Sequence, residues 1–195
     1  ITTFASVLML LSGIAVADET TMFTGGMNPN APLNVQSQLC TLNEGKNMAQ
    51  YERMFRKYIA WSRANDVEVT VVRTMPFITH DNPDSRSKTQ FVEHLVSDHV
   101  TSGKAWDLWV STPEGRKLDE EWRSLASCDL KMSTINTRWA DVEALNNTDS
   151  RFAMWNWCTR KDGVSVESLR SKHASIAKSY PEGVGNIGWV TFIPN

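Results

Sequence analysis

Apolar and polar positions follow one another along residues 35–139 in a pattern whose period changes several times. Residues 35–42 are predicted to form a strand, and Gly45 marks the turn that follows it. Asn47 is the predicted N-cap of the next segment, because its side chain can accept from the exposed amides of a first helical turn. Through about Ala64 the apolar side chains then fall at helical spacing: Met48, Tyr51, Phe55, Tyr58 and Ile59.

The rest of this region predicts three more strands and a second helix. Residues 67–75 are rich in β-branched side chains, and residues 89–96 form the next strand after a polar hairpin loop at 79–88. Ser102 is the predicted cap of the second helix, and residues 128–139 are the last strand. The order β-α-β-β-α-β predicts an α+β fold of the ferredoxin-like type.

A repeat of this pattern begins after residue 150. Cys40-Thr41 recurs as Cys158-Thr159, 118 residues later, and an acidic residue and a glycine follow each pair. The apolar stripe of the first helix recurs at the same offset. We therefore predict tandem ferredoxin-like βαββαβ units, with residues 35–139 as the first, 140–150 as a polar linker and 151–195 as the second.

The second unit is predicted to be incomplete. Residues 152–160 repeat the first strand, Ser165 caps a helix that runs through Tyr180, and residues 186–193 repeat the second strand. The chain then stops after β-α-β at Asn195, where a sheet without its remaining strands would expose apolar edges. The natural protein is therefore expected to continue beyond Asn195.

The first 34 residues are predicted to lie outside the folded units. Residues 4–16 are an apolar run that ends in Ala15-Val16-Ala17, the small-residue pattern of a secretory signal peptide. The run is shorter than the ~20 residues of a membrane-spanning helix. Residues 1–17 are therefore predicted to be a signal peptide, with an uncleaved N-terminal anchor as the alternative. Residues 18–34 contain two glycines and two prolines and are interpreted as a leader or linker.

A signal peptide predicts a periplasmic or secreted protein without a stable membrane span. Signal peptides begin with Met and a basic segment, so Ile1 is not expected to be the natural first residue. The net charge of −2 gives no electrostatic reason to expect a nucleic-acid partner. Eight tryptophans are many for 195 residues, and they indicate either core packing or an aromatic-lined pocket.

The three cysteines test the predicted topology, because disulfides form in exported proteins. Cys40 lies near the end of the first strand and Cys128 at the start of the fourth. These strands are antiparallel neighbours in a ferredoxin-like sheet, so we predict a Cys40–Cys128 disulfide. The partner of Cys158 would lie beyond the end of the chain. A nucleophilic cysteine is the alternative, but no adjacent base supports it, and no ligand cluster predicts a metal site.

Three amide side chains are candidates for ligand binding. In the first strand the more apolar alternate set is expected to face the helices: Val35, Ser37, Leu39 and Thr41. That leaves Gln36, Gln38 and, by the repeat, Asn156 on the opposite face, which a second sheet commonly closes. There the amides either line a polar cavity or hydrogen-bond each other and water.

Histidines supply the remaining candidate chemistry. His94 lies on the third strand beside Glu93, so only one of the two can face a given cavity. His99 follows Asp98, and a His–carboxylate pair can tune a general base; a haem-ligand role is open for either histidine. His80 is expected to be solvated in the hairpin loop. The candidate ligand-binding set is Gln36, Gln38, His94 and Asn156, with no catalytic residue and no cofactor assigned.

The βαββαβ pattern over residues 35–139 and the Cys-Thr repeat at residues 40 and 158 resemble the dimeric α+β barrel superfamily. This group includes antibiotic-biosynthesis monooxygenase-like, EthD-like and NIPSNAP-like proteins. The resemblance implies two sheets that close a barrel, either within one chain or in a homodimer. It carries over no catalytic residue, because no diagnostic family motif is present.

Two classes of function are compatible with these patterns. The first is an exported binding or structural module whose barrel holds a small apolar or amphipathic ligand. The second, which the resemblance allows, is an enzyme of the cofactor-independent oxygenase or haem-handling type. Whether the chain is an enzyme stays open, and the enzyme hypothesis gains if Gln36, Gln38, His94 and Asn156 converge on one cavity.

Overall fold

The computed structural model describes residues 32–76, 89–141, 143–144, 147, 152–156, 158–179 and 187–194. The predicted signal peptide and hairpin loop, together with most of the leader and of the 140–150 linker, lie outside these residues. No helix in the described ranges is long and apolar enough to cross a bilayer.

Nine elements make up the described chain. They are β1 (Leu33–Leu42), α1 (Met48–Ala64), β2 (Thr70–Thr74), β3 (Phe91–Ser97), α2 (His99–Ser111), α3 (Pro113–Leu125), β4 (Ala126–Ala140), α4 (Val166–Lys178) and β5 (Gly188–Pro194). The strands form one sheet in the order β2-β3-β1-β4-β5, and every neighbouring pair is antiparallel. The first four strands have the ferredoxin-like order, which confirms the predicted α+β class.

Local sequence signals explain where the helices begin. The Asn47 side chain accepts from the Gln50 amide at 3.0 Å, and the Gln50 side chain accepts in return from the Asn47 amide at 2.9 Å. This reciprocal capping box confirms Asn47 as the N-cap of α1. The predicted cap at Ser102 is wrong: Asp98 caps α2, because its carboxylate accepts from two first-turn amides at once.

The predicted second helix is divided into α2 and α3 at Thr112. The Thr112 side chain accepts from the Gly115 amide, and Pro113 occupies the first position of α3. Proline fits there because its missing N–H would have no helical acceptor in the first turn. The break turns the chain, so that α2 and α3 both lie against the sheet face that α1 covers.

The Cys40–Cys128 disulfide is present and joins β1 to β4. The two residues are directly paired in the antiparallel ladder, with a Cα–Cα distance of 4.1 Å. The bridge lies in the core on the helix side of the sheet, which is formed by Cys40, Tyr51, Met54, Phe91, Trp122, Leu125 and Ala126. Cys158 is free and exposed.

The prediction of a strand at residues 152–160 is wrong. The described residues of this segment are irregular and exposed. The β4 strand is longer than predicted, with 15 residues. The C-terminal half of β4 pairs with β5, and the 152–160 segment adds no strand to the sheet. Because β5 takes the open edge of β4, it extends the first sheet rather than starting a second one. A smaller cluster covers the face away from the helices: Leu33, Val35, Val96, Ile135 and Phe192.

Candidate ligand-binding site between the sheet and the helices

A cavity of about 70 Å³ lies between the sheet and helices α1, α2 and α3. It is smaller than the roughly 300–1,000 Å³ pockets that take drug-sized ligands. Seven aromatic side chains of the helices contribute to its walls: Tyr51, Phe55, Tyr58, Trp61, Trp106, Trp109 and Trp122. Four of the eight tryptophans therefore line a pocket. An aromatic-lined pocket was one of the two explanations offered above for the high tryptophan content.

The spacing of the aromatic residues on α1 and α2 creates the outer walls. Tyr58 and Trp61 are one turn apart on α1, with ring centroids 6.0 Å apart and planes 29° from parallel. Trp109 of α2 stands edge-on to both rings, at 5.8 Å and 78° from Tyr58 and 5.4 Å and 77° from Trp61. Burial raises the pKa of Tyr58 well above its ordinary value, so its hydroxyl is neutral in this wall.

Gln36 and Gln38 form part of the cavity floor on β1. The prediction that they face away from the helices is therefore wrong. Cys40 points into the helix-side core, and alternation along the strand puts Gln38 and Gln36 on the same side. Neither glutamine side chain hydrogen-bonds any residue in the part of the chain that the structure describes. Both amides are thus open to water or to a ligand.

A buried carboxylate completes the floor beside the two amides. Glu93 of β3 is 1% exposed and accepts from the Tyr51 hydroxyl at 2.7 Å and from Arg73 Nε at 2.6 Å. Trp122 Nε1 donates to the Tyr51 hydroxyl oxygen at 3.2 Å. Burial raises the pKa of Glu93, and the Arg73 guanidinium and the Tyr51 hydrogen bond oppose that rise. Burial and the charge of Glu93 raise the pKa of Tyr51.

Arg73 connects this carboxylate to the protein surface. Its guanidinium also pairs with Glu52 of α1, and it lies over the Phe55 ring at 4.9 Å from the centroid. The ion pair between Arg73 and Glu93 joins β2 to β3. The ion pair between Arg73 and Glu52 joins β2 to α1. The sequence did not identify these residues as part of a site, although the alternation of Glu93 with His94 indicated that only one of the two can face a given cavity.

His94 lies on the opposite face of the sheet. Its Nδ1 is 2.9 Å from Ser37 Oγ, and its ring stacks on Trp155 with centroids 4.2 Å apart. Its Nε2 is buried without a hydrogen-bond partner among the described residues. Burial lowers the pKa of His94 to about 4, so the imidazole is neutral.

The four predicted site residues therefore do not converge. Gln36 and Gln38 share the helix-side cavity, His94 lies behind the sheet, and Asn156 is exposed in the irregular segment. His99 is exposed at the start of α2, and His80 lies outside the described residues. Within the described ranges, no group of three or more His, Cys, Asp or Glu side chains could hold a metal ion.

Comparison with known proteins adds little to this description of the site. No protein-family profile matches the chain, and no curated protein matches it. Among solved structures, the chain is similar to SnoaB, a cofactor-independent oxygenase from Streptomyces nogalater, at 17% identity over 52% of this chain and 91% of that chain, with a TM-score of 0.35. A likeness at this level bears on neither activity nor substrate.

Proposed function

We propose that this protein is an exported module that binds a small amphipathic ligand in the cavity between the sheet and the helices. One observation carries the proposal: two amides without hydrogen-bond partners among the described residues, Gln36 and Gln38, lie at the floor of a cavity with aromatic walls. Neither amide is among the fully buried polar atoms that lack a partner in the described residues, so both remain accessible from the cavity. Such amides are therefore expected to hydrogen-bond water or a ligand.

The groups in the cavity favour binding over catalysis. Glu93 is the carboxylate among the described lining residues, and both of its oxygens already accept hydrogen bonds. Tyr51 is held neutral by burial. The enzyme hypothesis would have gained if the four predicted residues shared a cavity, but His94 and Asn156 lie outside this one. The oxygenase-type alternative therefore has no observation in its favour.

Export is the second part of the proposal. A disulfide in the core fits an oxidising compartment, and the Ala15-Val16-Ala17 pattern fits cleavage before Asp18. Expression of the chain behind a start codon in a bacterial host, followed by N-terminal sequencing of the exported protein, tests this part. A protein that stays in the cytoplasm with residues 1–17 attached would contradict it.

Tandem duplication of the βαββαβ unit also remains a proposal, and so does assembly into a homodimer. It is supported by matched turns and caps at the offset of 118 residues. Gly45 and Gly163 both have positive φ, at 71° and 76°, which glycine adopts without steric cost. Asn47 and Ser165 both cap the helix that follows. Analytical ultracentrifugation of the exported protein tests the homodimer.

The binding proposal is tested by tryptophan fluorescence, because four tryptophans line the cavity. The probes are two small amphipathic molecules of the same shape, choline and 3,3-dimethylbutan-1-ol. We expect a saturable change with at least one probe, and a loss of about tenfold in affinity in Gln38→Leu. The matched control is Asn156→Leu, an exposed amide outside the cavity, which should bind like the wild type. No saturable change with either probe would contradict the proposal.

A further inference from the structure

We infer that the cavity selects a small organic cation of the alkylammonium class. This inference rests on the proposed function, since it names the ligand class for the same cavity. It depends on three features of the described residues: the arrangement of the aromatic rings, the charge beside the floor, and the volume.

The aromatic walls suit a cation better than an anion. The face of an aromatic ring is electron-rich and attracts cations, most strongly in tryptophan. Tyr58 and Trp61 are nearly parallel to each other, and Trp109 is nearly perpendicular to both, within 6.0 Å. These three rings pack on one another, so a cation in the cavity would lie beside this cluster and among the other aromatic side chains of the lining. An anion in the same place would meet repulsive faces.

The charges near the floor also favour a cation. Glu93 is the charged residue among the described lining residues. Its partner Arg73 does not line the cavity and is shared with a second carboxylate, Glu52. Two carboxylates and one guanidinium leave a formal charge of −1 beside the site. Elsewhere on α1, Lys57 is paired with Glu121, and Arg53 and Arg56 are exposed to solvent.

The volume and the free amides restrict the ligand further. A volume of about 70 Å³ restricts the ligand to a small molecule, well below drug size. The amide oxygens of Gln36 and Gln38 can accept from a hydroxyl or an N–H on such a ligand. A hard metal cation would require a cage of oxygen ligands instead, and the described residues contain no such acidic cluster.

The test compares choline with 3,3-dimethylbutan-1-ol, in which an uncharged carbon replaces the quaternary nitrogen. Titrations of the disulfide-bonded exported protein are followed by tryptophan fluorescence and by calorimetry. We expect choline to bind roughly tenfold more tightly, the preference of a partly desolvated cation–π site. Equal or tighter binding of the neutral probe overturns the cation inference and leaves the binding proposal standing. Absence of binding by both probes overturns both.

Two variants separate charge from shape. Glu52→Gln removes the excess negative charge from a partly exposed position, so it should weaken choline several-fold and leave the neutral probe unchanged. Glu44→Gln, at an exposed turn, is its control. Trp109→Phe keeps a ring in the wall but weakens the attraction of the ring face for a cation, so it should reduce the preference for choline. Trp155→Phe, on the other side of the sheet, is its control and should leave that preference unchanged. A choline preference that survives both Glu52→Gln and Trp109→Phe contradicts the inference.

Discussion

The Tyr51 hydroxyl donates to the buried Glu93 carboxylate across 2.7 Å and at the same time accepts from Trp122 Nε1 at 3.2 Å. This one oxygen therefore links α1, β3 and α3 beneath the candidate cavity. Because it satisfies two partners in the core, the hydroxyl matters for stability as well as for the shape of the floor.

Tyr51→Phe is expected to lower the free energy of unfolding by about 1–3 kcal/mol, because Glu93 loses a donor and the Trp122 indole loses its acceptor. Urea unfolding measures the change. Tyr58→Phe is the matched control, since the Tyr58 hydroxyl has no hydrogen-bond partner among the described residues. It should change stability by less than about 0.5 kcal/mol. Equal effects of the two variants would contradict the assigned role of Tyr51.

Arg73→Met is expected to cost about 3–5 kcal/mol, because it leaves the Glu93 carboxylate buried without its cation. The loss should shrink as the pH falls, since the pKa of Glu93 rises further without Arg73 and its protonated form is then tolerated. Unfolding curves at several pH values measure this. Adding Glu93→Gln to Arg73→Met should recover part of the stability.

The control for Arg73 is Arg123→Met, which breaks an exposed pair with Asp119 one helical turn away. Such surface pairs contribute only about 0.3–0.5 kcal/mol. If Arg73→Met cost no more than Arg123→Met, the ion pair in the core would not hold β2 and β3 together.

Much of the fold could be predicted because it depends on local signals that agree with one another. The Asn47 cap, the strand order and the Cys40–Cys128 pairing all followed from patterns within the first unit. The orientation of β1 could not be predicted, because Ser37 and Thr41 make its alternate set hardly more apolar than the set with Gln36 and Gln38. Alternation defines two faces but does not say which one the helices cover. The disulfide decides it, since the Cys40 side chain packs against the helices.

The second half shows the limit of repeat arguments. Residues 152–160 share their pattern with β1, but a strand needs a neighbour with open hydrogen-bonding groups. In the structure β5 occupies the free edge of β4. The competition between two segments for one edge is a tertiary effect that the pattern of either segment alone does not contain.

His94 is expected to make the folded state less stable at acid pH. Its pKa is lowered from 6.5 to about 4 by burial, so the unfolded chain takes up a proton first as the pH falls. Stability should therefore decrease from about pH 6.5 to about pH 4, by a total of roughly 3 kcal/mol. Urea unfolding across this range should show a weaker pH dependence in His94→Leu. His99→Gln, at an exposed position, should keep the wild-type dependence, and an unchanged slope in His94→Leu would contradict the assignment.

The Cys40–Cys128 bridge is expected to contribute about 4–5 kcal/mol, because it closes a loop with a sequence separation of 88 residues. The double variant Cys40→Ala/Cys128→Ala should therefore unfold at much lower urea concentration. Cys158→Ala is the control, since this thiol is free and exposed, and it should unfold like the wild type. A disulfide map of the unreduced protein that lacks the Cys40–Cys128 peptide would contradict the pairing itself.

Gly115 determines how closely α2 approaches α3, and so where Trp109 stands in the cavity wall. A Cβ atom at Gly115 would come within 2.7 Å of the Trp109 Cα and 2.8 Å of the Leu108 carbonyl oxygen. These are backbone atoms and cannot move aside alone, so Gly115→Ala should displace α2, cost about 1–3 kcal/mol and weaken probe binding. Gly103→Ala in α2 is the matched control, because a Cβ there meets nothing within 4 Å. It should stabilise the protein by about 0.5–1 kcal/mol through helix propensity without changing binding. Equal probe affinity in the two variants would show that the α2–α3 contact does not shape the cavity.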